Sequence, residues 1–289
     1  MARGPAAVAA LAVTAVLLLS ASASGAPSDP RSPGPPNTLA AAAPGSASAR
    51  PSPSVSPSRP SGSPSPSPTA TPPGPGAQSY DVRPPGPRYG AYGSLRTTGS
   101  TTVALTFDDG PDPVNTPALL DLLQQYNIKA TFCVVGFRAR DRPDLIRRIA
   151  AEGHSLCNHS WQHLTDLSQR TVDYINWDLL NTIYAIHSAA PNAPVRYFRA
   201  PGGNFTPALI AMAQKFGMSP IYWDVDPRDW DHTDGYGDAH INRVIGAVQY
   251  QCRQGSIVLS HDNGQPNTVE AYRVLLPWLK ARYTLVPLL

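Results

Sequence analysis

The chain has 289 residues, 15% of them charged, and a formal net charge of +3, a length that suits one or two domains. Residues 1–96 hold seven Arg and two Asp, a balance of +5, whereas residues 97–289 hold 16 basic and 18 acidic residues, a balance of −2. The C-terminal part therefore lacks the basic surface of a nucleic-acid binder, and only the N-terminal part has a charge suited to an anionic wall or membrane surface.

Residues 1–26 are laid out as a signal peptide. "MARG" carries one positive charge, "PAAVAALAVTAVLLL" (5–19) is apolar, and "SASASGA" supplies small residues for cleavage after Ala23 or Ala26. Left uncleaved, the same segment would be an N-terminal membrane anchor. Residues 27–95 are dominated by Pro, Ser, Ala and Gly, as in "RPSPSVSPSRPSGSPSPSPTATPPGPG", and lack the aliphatic periodicity that a core requires. A disordered, partly polyproline-II stalk is expected there. The organisation predicts a protein that is secreted or associated with the cell wall, with its basic stalk against the wall.

From residue 96 to 289 the pattern becomes regular. "TTVALTF" (101–107) reads as a strand, "TPALLDLLQQY" (116–126) as a helix, "KATFCVVG" (129–136) as a buried strand and "RPDLIRRIAAEG" (142–153) as a helix opened by Pro and closed by Gly. "HSLCNH" (154–159) is a third strand, and a long helix is expected from about Val172 to His187. "RYFRAP" (196–201), "SPIYWDV" (219–225), "GSIVLSH" (255–261) and "RYTLVPLL" (282–289) read as further strands, separated by helices at 206–216, 239–252 and 268–280. This alternation predicts parallel strands with crossover helices, in an open doubly wound sheet or a barrel. Either architecture gathers functional groups at the carboxyl ends of the strands. Asp108, Asp109, His159, Arg199, Asp226, Asp229 and His261 all fall there. Cys133, Cys157 and Cys252 are an odd number, so one disulfide at most can form within the chain, or all three are buried thiols. They form no CxxC motif, which argues against a structural zinc site.

"NHSWQHL" (158–164) places His159 and His163 at i, i+4, a spacing that on a helical turn puts both imidazoles on one face. The residue after the first histidine is Ser160, so the metalloprotease glutamate is missing. Asp109 as a third ligand would leave a coordination position open for water. A cation there would also relieve the repulsion between the adjacent carboxylates of Asp108 and Asp109.

"TFDDGP" (106–111), "HSWQH" (159–163), "RAPGG" (199–203), "DPRDW" (226–230) and "LSH" (259–261) resemble, in order, the five motifs of the polysaccharide deacetylases, the NodB-homology family or carbohydrate esterase family 4. The resemblance implies an α/β fold, a distorted (β/α)7 barrel, and a divalent-metal hydrolase that removes acetyl groups from carbohydrates. It makes Asp108 the catalytic base, Asp109, His159 and His163 the metal ligands, and Arg199 the residue that orients the base. It makes the Gly202 amide the oxyanion donor, His261 the general acid, Asp229 the carboxylate that tunes it, and Trp230 and Leu259 the walls of the acetyl pocket. Asp226 completes a motif without a chemical role. The family often carries an aromatic residue at the position of Gly202, so this groove should be wider. Zinc is the expected metal, with cobalt or another divalent ion as alternatives. The expected partner is an acetylated polysaccharide, with peptidoglycan first, chitin oligomers or acetylated xylan as alternatives, and no nucleic acid. A lectin-like wall-binding module is the non-enzymatic alternative.

Overall fold

The computed structural model describes residues 83–289; the leader and the stalk up to residue 82 lie outside the described residues. Six parallel strands form one sheet: β1 (Ala104–Asp108), β2 (Thr131–Val134), β3 (Ser155–Asn158), β4 (Val195–Phe198), β5 (Ser219–Pro220) and β6 (Ile257–His261), in the order β5-β4-β3-β2-β1-β6. Seven helices connect or cover them: α1 (Asn115–Gln125), α2 (Gly136–Asp141), α3 (Pro143–Ala151), α4 (Val172–Ala189), α5 (Pro207–Lys215), α6 (Asp238–Gln251) and α7 (Pro266–Lys280). Every residue of β1 and β2 is buried, as expected of parallel strands covered on both faces.

The sheet rolls up through the segment 219–225. Its first two residues pair with Tyr197 and Phe198 on β4, at one edge. Val225 then bridges Val258 on β6, at the other edge, and the Leu259 amide donates to the Val225 carbonyl at 2.9 Å. The result is the distorted (β/α)7 barrel of the sequence resemblance, closed by a crossing segment. The alternation of β1 then assigns its faces. Leu105 and Phe107 point outward into the main core, where the Phe107 ring packs 5.4 Å from Phe132 and 4.9 Å from Tyr272. Truncating such a buried aromatic costs about 3–5 kcal/mol. Ala104 points inward, into a small cluster with Cys133, Cys157, Ile221 and Ile257. Thr106 and Asp108 rise above it on the same face.

Cys133 and Cys157 are register partners on β2 and β3 and form a disulfide between these neighbouring strands, Cα to Cα 4.2 Å. Cys252 is a buried free thiol whose pKa burial pushes up to about 12. Two local readings of the sequence change. Residues 282–289 run as irregular chain, bridging only at Val103–Leu285, because Pro287 offers no N–H to a ladder. Leu288 instead plugs the bottom of the barrel, its amide donating to Thr131 Oγ1 at 2.9 Å. The short helix α2 has too little apolar periodicity to announce itself. At the other end the packing reaches back beyond residue 96: Tyr89 pairs with Leu95, Leu95 bridges Ile221, and Ser94 is fully buried.

Candidate active site

β1 ends in Asp108, 2% exposed, directly above Thr106. Arg199, one residue beyond β4 and fully buried, donates from Nη1 to Asp108 Oδ1 at 2.6 Å and to Thr106 Oγ1 at 2.8 Å. Its Nη2 donates to the Tyr222 carbonyl at 3.0 Å, in the barrel-closing segment. Thr106 passes its own proton to the Val258 carbonyl on β6 at 2.6 Å. Arg199 is thus fixed by three parts of the barrel, and it holds one oxygen of Asp108 while leaving Oδ2 toward the cavity side, 3.6 Å from His159 Nε2.

Asp109 takes a left-handed conformation, φ 75°, so its side chain leaves the strand in a different direction from that of Asp108. The Gly110–Pro111 peptide that follows is cis. Thr116 donates to Asp262, whose carboxylate occupies the space where a Gly110 side chain would be, so only glycine fits there. Burial pushes the Asp262 carboxyl up to about 7.

His159 and His163 do converge, but the residues between them form no helix. The turn is made by left-handed Ser160 (φ 64°) and His163 (φ 56°), which brings the two rings to 4.8 Å. Three hydrogen bonds hold it there: Ser160 N to Asn158 Oδ1 at 2.9 Å, His163 N to Ser160 Oγ at 2.9 Å, and Trp161 N to Asp178 Oδ1 at 2.8 Å. A helix at this point would use these amides for its own carbonyls; the side-chain acceptors take them instead.

The Asp109, His159 and His163 ligand atoms lie within 4.8 Å of one another. Asp109 Oδ1 is 3.3 Å from His159 Nε2 and 3.2 Å from His163 Nε2, and it is buried without a hydrogen-bond partner. His159 Nδ1 lies 2.8 Å from the Arg199 carbonyl oxygen, which can only accept, so Nδ1 carries the hydrogen and Nε2 offers a lone pair to the cluster. Lone pairs facing an orphaned carboxylate oxygen are the donor set of a cation site. The electrostatics agree. Burial disfavours ionised Asp109, yet His159 beside it first, and then the charges of His261 and His163, hold its pKa well below the usual range. Burial also disfavours protonated His159, but the charges of Asp108 and Asp109 outweigh it and raise its pKa. His163 is lowered, by burial and by His159 beside it.

Across the cleft, His261 ends β6. Its Nδ1 lies 2.8 Å from Asp229 Oδ1, while its backbone amide donates to Asp229 Oδ2 at 2.7 Å. Thr268, in the first turn of α7, donates to the same Oδ2 at 2.8 Å. Burial alone would lower the His261 pKa, but Asp229 first, and then Asp109 and Asp108, push it up to about 10. Asp226 accepts from the Arg228 amide at 2.8 Å, and Arg228 is left-handed (φ 54°), which turns the chain so that Asp229 points back inward. Asp226, given no chemical role by the sequence, therefore shapes the loop and lines the cavity.

These groups open into one cavity of about 390 Å³, shared by Asp108, Asp109, His159, His163 and His261 with Gly202, Trp230 and Leu259 as walls. Leu259 is 4% exposed, whereas Trp230 is 45% exposed, with the Arg228 guanidinium 4.7 Å above its ring. Gly202 is left-handed (φ 62°) in the turn after β4. The structure thus brings together all ten residues named from the sequence. Thr106, Trp223, Asp178 and Thr268 were given no role; they support the site through hydrogen bonds or as walls, and only Thr106 falls within a motif, as the first residue of "TFDDGP".

The family model for polysaccharide deacetylases matches residues 95–221. The chain is 38% identical over 204 residues to a chitooligosaccharide deacetylase of Bradyrhizobium sp. (strain ANU 289), covering 66% of this chain and 89% of the relative. It is 35% identical over 182 residues to a peptidoglycan-N-acetylglucosamine deacetylase of Bacillus cereus, covering 62% of this chain and 81% of the relative. Among solved structures, the peptidoglycan deacetylase PdaC from Bacillus subtilis superposes with a TM-score of 0.58 at 30% identity, covering 66% of this chain and 89% of that one.

Proposed function

This chain belongs to the polysaccharide deacetylase family of divalent-metal-dependent hydrolases, and we propose that it is an exported enzyme that removes acetyl groups from N-acetylglucosamine residues of peptidoglycan. The observation that carries the reading is the orphaned Asp109 oxygen facing two imidazoles, in the same cavity as a paired base and a paired acid. Asp109, His159 and His163 are the proposed ligands, and two histidines with a carboxylate suit zinc, with cobalt also compatible. A divalent cation held there supplies Lewis acidity and eases deprotonation of water.

The chain's own groups supply the rest. Asp108, oriented by Arg199, accepts the proton of the attacking water through its free oxygen. The Gly202 amide donates to the oxygen of the acetyl carbonyl as negative charge develops on it. His261, held protonated by Asp229, gives its proton to the departing sugar nitrogen, so that the C–N bond breaks to a free amine and acetate. Trp230 and Leu259 bound the space for the acetyl methyl. The export leader and the wall-spacing stalk support peptidoglycan over a soluble oligomer. The chitooligosaccharide deacetylase relative supports the alternative, short N-acetylglucosamine oligomers.

The test is acetate release from peptidoglycan, N-acetylglucosamine oligomers and acetylated xylan, each with chelator and then with zinc or cobalt restored. Metal-restored release from peptidoglycan above the oligomers is expected. Release from xylan alone would make the protein an esterase, and release from none would leave a binding module.

A further inference from the structure

A second cavity, of about 320 Å³, adjoins the first on the side away from Trp230 and shares Asp109 and His163 as common walls. Its other walls are Val135, Phe137, Arg138, Gln162 and Asn263, from β2's exit, α2, the histidine turn and the loop after β6. Arg138 differs from three nearby arginines that are paired with carboxylates. Arg140 pairs with Asp141 at 2.7 Å, Arg142 with Asp144 at 2.8 Å, and Arg148 with Asp121 and Glu152 at 2.5 and 2.6 Å. Half-buried Arg138 has no carboxylate partner and no side-chain hydrogen bond among the described residues; its guanidinium rests 5.0 Å from the Phe137 ring. The carboxamides of Gln162 and Asn263 are likewise uncommitted.

A guanidinium is a planar fork of donors matched to a carboxylate. Two carboxamides on the same wall add N–H donors. Val135 and Phe137 leave one apolar side. The combination fits a carboxylate beside a small apolar group, next to the cavity that holds the proposed catalytic groups. We propose that this cavity is a subsite for the residue next to the N-acetylglucosamine being deacetylated, and that Arg138, with Gln162 and Asn263, binds a carboxylate carried by that residue. The inference rests on the glycan deacetylase reading and sharpens it: the substrate is an anionic strand, such as peptidoglycan glycan stripped of its peptides, in which N-acetylglucosamine alternates with a sugar whose lactyl carboxylate is free.

The experiment uses the full zinc-loaded protein and four tetrasaccharides. These are an alternating glucosamine–muramic oligomer with free lactyl carboxylates, the same oligomer with those groups reduced to alcohols, the same with peptides amide-linked to them, and neutral N-acetylglucosamine tetramer. The carboxylated oligomer is expected to show a KM about tenfold below those of the reduced and neutral ones, the scale of a charge-assisted hydrogen bond. Arg138→Gln is expected to collapse that ratio to near unity, moving KM more than kcat, and Arg138→Lys to restore part of it. Equal KM values for the carboxylated and reduced oligomers would overturn the subsite while leaving the deacetylase standing. A loss in Arg138→Gln that is equal on all four substrates would also overturn it. Preference for the peptide-bearing strand would move the carboxylate to the peptide and overturn the assignment to the sugar. No turnover of any oligomer, with no release from peptidoglycan either, would overturn both readings.

Discussion

The two sides of the catalytic cleft are finished to different degrees. On the β6 side, Asp229 spends both oxygens on His261 and Thr268, and every partner is supplied by the chain. On the β3 side, Asp109 aims a buried oxygen at two imidazoles and receives no hydrogen bond from either. A buried polar group left without a partner costs about 1–3 kcal/mol, a cost that a cation between the three ligand atoms would relieve. The proposed acid is complete within the chain; the proposed ligand cluster would be completed by a cation.

The largest effect should come from breaking the incomplete side. Chelation, or His159→Ala, is expected to lower acetate release by at least about 10³-fold, several kcal/mol of transition-state stabilisation. The same contrast has a readout independent of turnover. Zinc at a hundredfold excess over its Kd should stabilise the wild type by about 2.7 kcal/mol, seen as a rise in Tm, and His159→Ala should lose most of that rise. A chelated protein with full activity would dissolve the distinction between the two sides.

The finished side should respond differently. His261→Gln is expected to lose about 10²–10³-fold in kcat while keeping its zinc-dependent rise in Tm. Asp229→Asn is expected to cost about tenfold to hundredfold and to alter the pH profile. As the proposed acid, His261 would act in its protonated form, so its contribution should persist below its pKa, pushed up to about 10, and be lost above it. Removing the carboxylate that raises this pKa should move the alkaline limb of kcat to lower pH; an unmoved limb would mean that another group donates the proton. Smallest of all, Thr268→Val deletes one hydrogen bond to Asp229, about 1 kcal/mol or about fivefold in kcat, with a smaller shift of the same limb.

What the sequence made legible follows from where the information is local. The strand ends carrying Asp108, Arg199 and His261 could be placed because an apolar run stops beside a charged or titratable residue, and the motif order supplied their partners. The turn from His159 to His163 could not. The i, i+4 spacing suits a helix, and the bonds that forbid one come from Asn158 and from Asp178, the latter in a helix well downstream. Thr268 was invisible for the same reason: a threonine in a first helical turn is ordinary until a buried carboxylate is found above it. The apolar tail 282–289 looked like a strand because hydrophobicity signals burial, and burial is what Leu288 achieves without pairing.

Arg199 has one consequence of its own. Its side chain serves the base, through Asp108, while its main-chain carbonyl serves the ligand cluster by fixing the tautomer of His159. A substitution erases the first service and spares the second, because any amino acid brings a carbonyl. Two functions that meet at one position are therefore separable by mutation, and proton transfer can be retuned here without renegotiating the affinity for metal.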